Sequence, residues 1–342
     1  MSNVELMKSV AKLALDPTLA ALNAAGEETR LRLLALLAQS ELTVSEVVAI
    51  LGQSQPRVSR HLKLLVEAGL VERRREGAWA FFRLSPAGPA GALARAIVGW
   101  LEADDALLAG DRARLAQVRQ ARAENAARYF AAHAEEWDRI RALHVPEESV
   151  EEAMREVVGE RPVRNLLDLG AGAGRMLELF APQAERAVGV DLSSAMLGVA
   201  RGRLEETGFD NVQLRQGDIY ALPIERNSID LAIMHQVLHF LDDPGRALRE
   251  AARVLAPGGR LLVVDFAPHQ EETLRDTHAH RRLGFSDAEI TGLLAQAGLD
   301  IVQRRQLAPD PSEGAKLTVS LWLARDPRVI ADPIPTASYE TA

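Results

Sequence analysis

Two groups of residues in this chain have the types and spacing to do chemistry. The first is Asp168-Leu169-Gly170-Ala171-Gly172-Ala173-Gly174. The short apolar run Leu166 to Leu169 suits a buried strand, and the glycines after it suit a turn whose backbone closely approaches a nucleotide-like ligand. A tight strand-to-helix turn with no ligand is the competing reading. Asp191 follows Gly170 by 21 residues, the distance at which an acid meets a ribose diol in nucleotide-binding units. Asp218 stands just past the strand-like run Val212 to Gln216, where a carboxylate can accept from an adenine amino group. Ile229 to Met234 leads into His235, and Gly259 to Phe266 carries Asp265 at its end. Histidines that could act as a base are His235, His239 and the His269, His278 and His280 group. His235 and His239 stand at helical i, i+4 spacing, but no third ligand is placed for a metal, so none is expected. The catalytic residue stays unassigned.

The second group is basic. Arg57, Arg60 and Lys63 recur every three residues, flanked by Ser54, Gln55, Ser59 and His61, and Arg73, Arg74 and Arg75 follow. Residues 54–86 hold seven Arg or Lys against three Glu inside a chain of net charge −8. Nucleic-acid contact must therefore come from this local patch, because the molecule as a whole repels polyanions.

These residues need particular elements to hold them. Glu28 to Ala38 reads as an apolar helix, and Val44 to Leu51 as a second, with Thr43 as cap and Glu46 at the capping-box position. Gly52 ends it. Ser54 caps a third helix, Pro56 sits in its first turn, and Gly69 terminates it. Val58, Leu62, Leu65 and Val66 face the core, which leaves the arginines on the opposite face. Leu70 to Arg74 and Trp79 to Leu84 read as two strands around a turn at Gly77. Downstream, strands and helices alternate, which argues for a parallel, doubly wound sheet.

Residues 17–86 resemble the winged helix-turn-helix regulators of the ArsR/SmtB family. The stretches that carry this are Glu28-Thr29-Arg30-Leu31-Arg32-Leu33-Leu34, Ser54-Gln55-Pro56-Arg57-Val58-Ser59-Arg60-His61-Leu62-Lys63 and Leu65-Val66-Glu67-Ala68-Gly69-Leu70-Val71. The resemblance implies a homodimer on double-stranded operator DNA. Metal-sensing members carry cysteines where this chain has Thr43 and Ser45, and 92–121 contains no histidine for the other common sensor site. The signal must come from elsewhere.

A dinucleotide fingerprint would place its third glycine at 175, where Arg175 stands, so NAD is the weaker cofactor choice. The G-x-G-x-G form after Asp168, with Asp191, Asp218 and Ala256-Pro257-Gly258-Gly259-Arg260, resembles the class I S-adenosylmethionine-dependent methyltransferases over about 125 to 325. It implies that the loop passes the methionine part and that Asp191 takes the ribose hydroxyls. Leu192 and Ile219 then flank the adenine, Asp218 meets its amino group, and His235 joins the pocket. The whole chain resembles regulators that fuse an ArsR-type domain to a methyltransferase-like domain. That implies a dimeric transcriptional regulator, a repressor, with S-adenosylmethionine or S-adenosylhomocysteine as effector. An active methyltransferase of unknown acceptor is the alternative, and a helix-turn-helix used only for dimerisation is a third reading.

The expected fold is mixed α/β in two domains. Residues 1–88 form the winged helix-turn-helix and 89–124 a helical connector. Residues 125–325 form a Rossmann-like domain entered through the aromatic helix Tyr129 to Asp138, and 326–342 a disordered tail. The connector stripe Leu93, Ile97, Trp100, Leu101, Leu108, Leu115 and Val118 reads either as core or as a dimer seam. Lys316 to Ala324 reads as an edge strand. The hydrophobic share of 47% suffices for two cores, and the absence of cysteine excludes disulfides and thiolate chemistry. No apolar run approaches a membrane span, and the N-terminus lacks signal-peptide character, so the expected location is the cytoplasm, with no membrane partner.

Overall fold

The computed structural model describes residues 12–76, 79–85, 88–102, 104–137, 147–309 and 317–328. The turn expected at Gly77, the N-terminal residues 1–11 and the tail beyond 328 lie outside the described residues. The chain divides into two compact units, 1–125 with 270–272, and 126–269 with 273–342.

The first unit holds α1 (Leu15–Ala25), α2 (Glu28–Leu37), β1 (Leu42–Thr43), α3 (Val44–Leu51), α4 (Gln55–Glu67), β2 (Val71–Glu76), β3 (Trp79–Leu84) and α5 (Gly88–Gly99). It also holds most of α6 (Ala106–His133). Local chemistry sets the helix starts. Thr43 and Glu46 form a reciprocal capping box, with the Thr43 amide donating to Glu46 Oε2 at 2.8 Å. Gly52 closes α3 at φ 64, a left-handed conformation that disfavours side chains. Ser54 occupies the cap position of α4 as expected, yet its side chain makes no capping hydrogen bond. The strands form an antiparallel sheet of order β1-β3-β2, with Leu42 opposite Phe82 and Val71 opposite Leu84. Leu33, Leu37, Ile50, Val58, Leu62, Leu65 and Phe82 fill one core, which Ile97 and Leu115 of the connector join. Those two stripe positions are thus core, whereas Trp100 is 79% exposed. Buried Asp111 on α6 takes the Arg32 guanidinium of α2 in two bonds of 2.7 and 2.8 Å, and Arg122 bonds Glu46.

The second unit contains α7 (Glu147–Val158), β4 (Val163–Leu169), α8 (Arg175–Phe180), β5 (Ala184–Asp191), α9 (Ser194–Thr207), β6 (Val212–Gln216) and β7 (Ile229–His235). These are followed by α10 (Pro244–Val254), β8 (Leu255–Phe266), α11 (Thr273–Thr277), α12 (Asp287–Gln296), β9 (Asp300–Leu307) and β10 (Val319–Arg325). The sheet order is β6-β5-β4-β7-β8-β10-β9. β4 through β8 pair in parallel, and β10 runs antiparallel to both neighbours. One face is packed by α7 and α8 and the other by α10 and α12, which is why the central strands are apolar on both sides. The run expected to form an edge strand near 316–324 forms an interior strand instead. β10 lies inside the sheet between β8 and β9, and β9 is the edge. Leu321 and Leu323 enter one core while Trp322 and Ala324 enter the other, so this run is a doubly covered strand. No helix of the described residues is long and apolar enough to cross a membrane.

Candidate functional site

Strand order reverses at β4, whose neighbours are β5 on one side and β7 on the other, and such a switch point opens a crevice at the strand C-termini. The glycine loop occupies that position. Gly170, Gly172 and Gly174 adopt φ of 74, 52 and 86°, and a Cβ on Gly170 would lie 2.6 Å from Val237 Cγ2. The loop therefore requires glycine at 170 for both conformation and space. Gly172 donates its amide to Asp191 Oδ2 at 2.8 Å, and Ser193 donates to Oδ1 at 2.8 Å, so one carboxylate braces the loop against the start of α9. Each oxygen keeps a lone pair for a diol hydroxyl. Burial pushes the Asp191 pKa above 3.8, against the opposing effect of the Ser193, Gly172 and Leu192 amides.

The other expected cofactor residues stand at or next to the C-terminal ends of β4, β5, β6 and β7. Leu192 is 57% exposed, an apolar face suited to one side of an adenine. Gly217 donates to the Asp191 carbonyl at 3.0 Å and Gln216 to that of Leu192 at 3.1 Å, which pins the end of β6 to the end of β5. Asp218 is exposed and accepts from the Tyr220 amide at 2.9 Å, with half-buried Ile219 between them. His235 is the last residue of β7 and half-buried, and Asp168 is buried within β4. This cradle fits an adenosine-bearing group: glycines that admit close backbone approach, a diol acceptor, an exposed apolar face and a second carboxylate at the next strand end.

A pair that sequence reasoning left apart lies beside this crevice. His239 Nδ1 is 2.8 Å from Asp265 Oδ1, and both side chains are buried. Asp265 also accepts the Phe266 amide at 2.8 Å and the His239 amide at 3.3 Å. Phe240 stacks edge-on against Phe130, and Trp137 comes within 3.5 Å of the position a Gly172 Cβ would take. His280 stacks on His239 at 4.1 Å between ring centroids. The i, i+4 spacing of His235 and His239 places them on no common helix, because His235 ends a strand. The signal for the true partner was Asp265 at a strand C-terminus. Among the described residues no group of three or more His, Asp or Glu could hold a metal ion.

In the first unit the cap residue Ser54 and, on α4, Gln55, Arg57, Ser59, Arg60 and Lys63 are exposed while Val58, Leu62 and Leu65 are buried. His61 departs from that row and lies 3.6 Å from Glu27. Burial lowers its pKa, Glu27 opposes this, and Arg30, Arg57 and Arg60 add to the lowering. On β2, Arg73 and Arg75 are exposed, but Arg74 turns to Glu41 at 3.2 Å.

Residues 27–73 match the bacterial regulatory proteins of the arsR family, and residues 167–263 match the methyltransferase domain family. The chain joins an ArsR-type helix-turn-helix to a methyltransferase domain. The ArsR-type segment spans α2 to β2 and includes all of α4. The methyltransferase segment runs from β4 into β8 and includes the glycine loop, Asp191, Asp218 and His239. An uncharacterized methyltransferase of Bacillus subtilis, YcgJ, is 38% identical over 109 residues, 32% of this chain and 43% of that protein. The UbiE ubiquinone/menaquinone biosynthesis C-methyltransferase of Shewanella sp. strain ANA-3 is 35% identical over 127 residues, 36% of this chain and 51% of its own length. An uncharacterized 37.1 kDa protein in a Streptomyces fradiae transposon is 42% identical over 118 residues, 34% of each chain. The matches thus span from a third to about half the length of these relatives. A putative methyltransferase from Bacillus halodurans aligns with a TM-score of 0.47 and 20% identity, over 52% of this chain and 99% of its own.

Proposed function

We propose that this protein is a DNA-binding transcriptional regulator, a repressor, whose methyltransferase domain binds S-adenosylmethionine or S-adenosylhomocysteine as its effector. The observation that carries the reading is one chain that holds both an exposed basic helix face anchored by a buried one and a nucleotide cradle braced by Asp191. Arg57, Arg60 and Lys63 would meet operator phosphates and base edges, with Arg73 and Arg75 on the wing strand. Asp191 orients the ribose, Leu192 and Ile219 flank the adenine, and Asp218 accepts its amino group. When bound, S-adenosylmethionine supplies an electrophilic methyl group, and S-adenosylhomocysteine fills the same cradle without one.

Effector action requires different affinities for the DNA-competent and DNA-free states, typically about 1–3 kcal/mol of coupling. Operator affinity, read by fluorescence anisotropy with and without saturating cofactor of each form, should then change by roughly 5- to 150-fold with at least one form. Unchanged affinity with both forms overturns the effector role. Arg57→Ala with Arg60→Ala should weaken operator binding by at least about tenfold, and retention of binding would favour a dimerisation role alone.

The His239–Asp265 pair favours a second reading, an active methyltransferase. Asp265 Oδ1 lies 2.8 Å from His239 Nδ1, and in the tautomer that donates this bond Nε2 is left with a free lone pair. Nε2 can take a proton from an acceptor whose lone pair receives the methyl group. Labelled methyl transfer to a lysate acceptor should be lost in His239→Asn while homocysteine-form binding persists. Tight binding with no transfer to any acceptor would exclude this reading.

A further inference from the structure

A cleft of about 550 Å³ opens on the second unit, away from the glycine loop, between α10, the 224–228 turn, the end of α12 and the residues after β10. Its volume falls within the roughly 300–1,000 Å³ range of small-molecule sites. Arg226, Arg246, Arg249, Arg253 and Arg328 line it together with Tyr220, and the acids in the lining are Glu250 and Asp326. Five guanidinium groups thus face two carboxylates in a chain that is acidic overall.

Both carboxylates are already engaged. Glu250 is bonded by Arg253 at 2.8 and 2.9 Å and accepts the Leu222 amide at 2.9 Å. Asp326 is bonded by Arg328 at 2.8 and 2.9 Å, and Arg328 also donates to Asn227 Oδ1 at 2.9 Å and to the Leu255 carbonyl at 3.0 Å. Arg253 and Arg328 are therefore held as fixed walls. Arg246 lies over the Tyr220 ring at 4.9 Å. Arg226 and Arg249 are exposed, and among the described residues neither makes a hydrogen bond or an ion pair. Arg246, Arg249 and Arg253 stand at i, i+3 and i+7, one face of α10, where like charges repel one another. A ligand with several negative charges would relieve that crowding, and the planar guanidinium fork matches phosphate oxygens in pairs.

We propose that this cleft is a second ligand site, for a small molecule carrying two or more phosphate groups. Fixed Arg253 and Arg328 set the field of the site, and Arg226, Arg246 and Arg249 supply the donors that close on the phosphates. The cleft's volume of about 550 Å³ suits a small ligand, and its lining includes no residue of the α4 basic face.

Inorganic pyrophosphate tests this directly. Titration calorimetry on the full chain at low salt should give saturable binding, one per chain, that weakens as salt is added. Arg226→Gln with Arg249→Gln should reduce its affinity about tenfold, as expected from two partly screened charge contacts. Both side chains are exposed, and neither makes a bond among the described residues, so thermal unfolding of that variant should match the parent. Arg57→Gln with Arg60→Gln should leave pyrophosphate binding intact. No saturable binding, an unchanged affinity in the cleft variant, or loss of binding in the α4 variant overturns the proposal. Citrate binding as tight as pyrophosphate overturns the assignment to phosphate.

Discussion

The Asp191 carboxylate accepts one backbone amide on each oxygen, and this fixes its orientation before any ligand arrives. Burial raises its pKa above 3.8, so the folded chain holds that proton more tightly than the unfolded one. Stability from this group accordingly increases as pH falls through the raised value, whereas binding of a diol that needs the ionised form decreases in the same window. Calorimetry with S-adenosylhomocysteine should show affinity falling on acidification from above 3.8, and Asp191→Asn should flatten that dependence. The same substitution should weaken binding by about 10- to 100-fold, the value of a charge-assisted hydrogen bond. An affinity that Asp191→Asn leaves untouched would remove Asp191 from the cradle. The glycines and Asp191 were legible because they are close in sequence and each sits at a strand end. The His239–Asp265 pair was legible only by halves, since their contact depends on β7 and β8 being neighbours.

At the scale of the element, α4 shows why one polar residue left the basic row. At about 100° per residue, His61 lies closer to the direction of Val58, Leu62 and Leu65 than Arg57, Arg60 or Lys63 does. It therefore occupies the border of the buried face and meets Glu27. Its lowered pKa means that the unfolded chain binds the proton more readily, so stability is present above the ordinary value of 6.5 and is lost as pH falls below it. Chemical denaturation above and below that pH should show a larger acid loss in the parent than in His61→Gln. An equal loss would place the acid sensitivity elsewhere. β10 is the converse case. Its apolar residues alternate between two cores, and a strand buried on both faces carries no alternation that separates inside from edge. The helix starts, by contrast, were readable from single caps such as Thr43, because capping is local chemistry.

At the scale of the whole molecule, the first unit depends on a bond between elements 79 residues apart in sequence, Arg32 to Asp111. Asp111→Ala would leave a buried guanidinium without its bidentate partner, a loss of about 3–5 kcal/mol that equilibrium denaturation should register. Leu15, Leu19 and Leu22 are 73, 49 and 46% exposed and follow i, i+4, i+7 spacing, so α1 carries an uncovered apolar stripe. Trp100 and Leu107 of the same unit are also exposed, at 79 and 50%. A second copy of the chain is the partner that the proposed operator-binding dimer requires, and its apolar face would cover these side chains. Leu19→Glu with Leu22→Glu places charges within that stripe without touching the buried positions Ala21 and Ala25. Sedimentation velocity should then show the parent as a dimer and the variant as a monomer. Operator affinity should fall with it, because one half-site contact replaces two. A variant that remains dimeric with full operator affinity would move the dimer surface off α1.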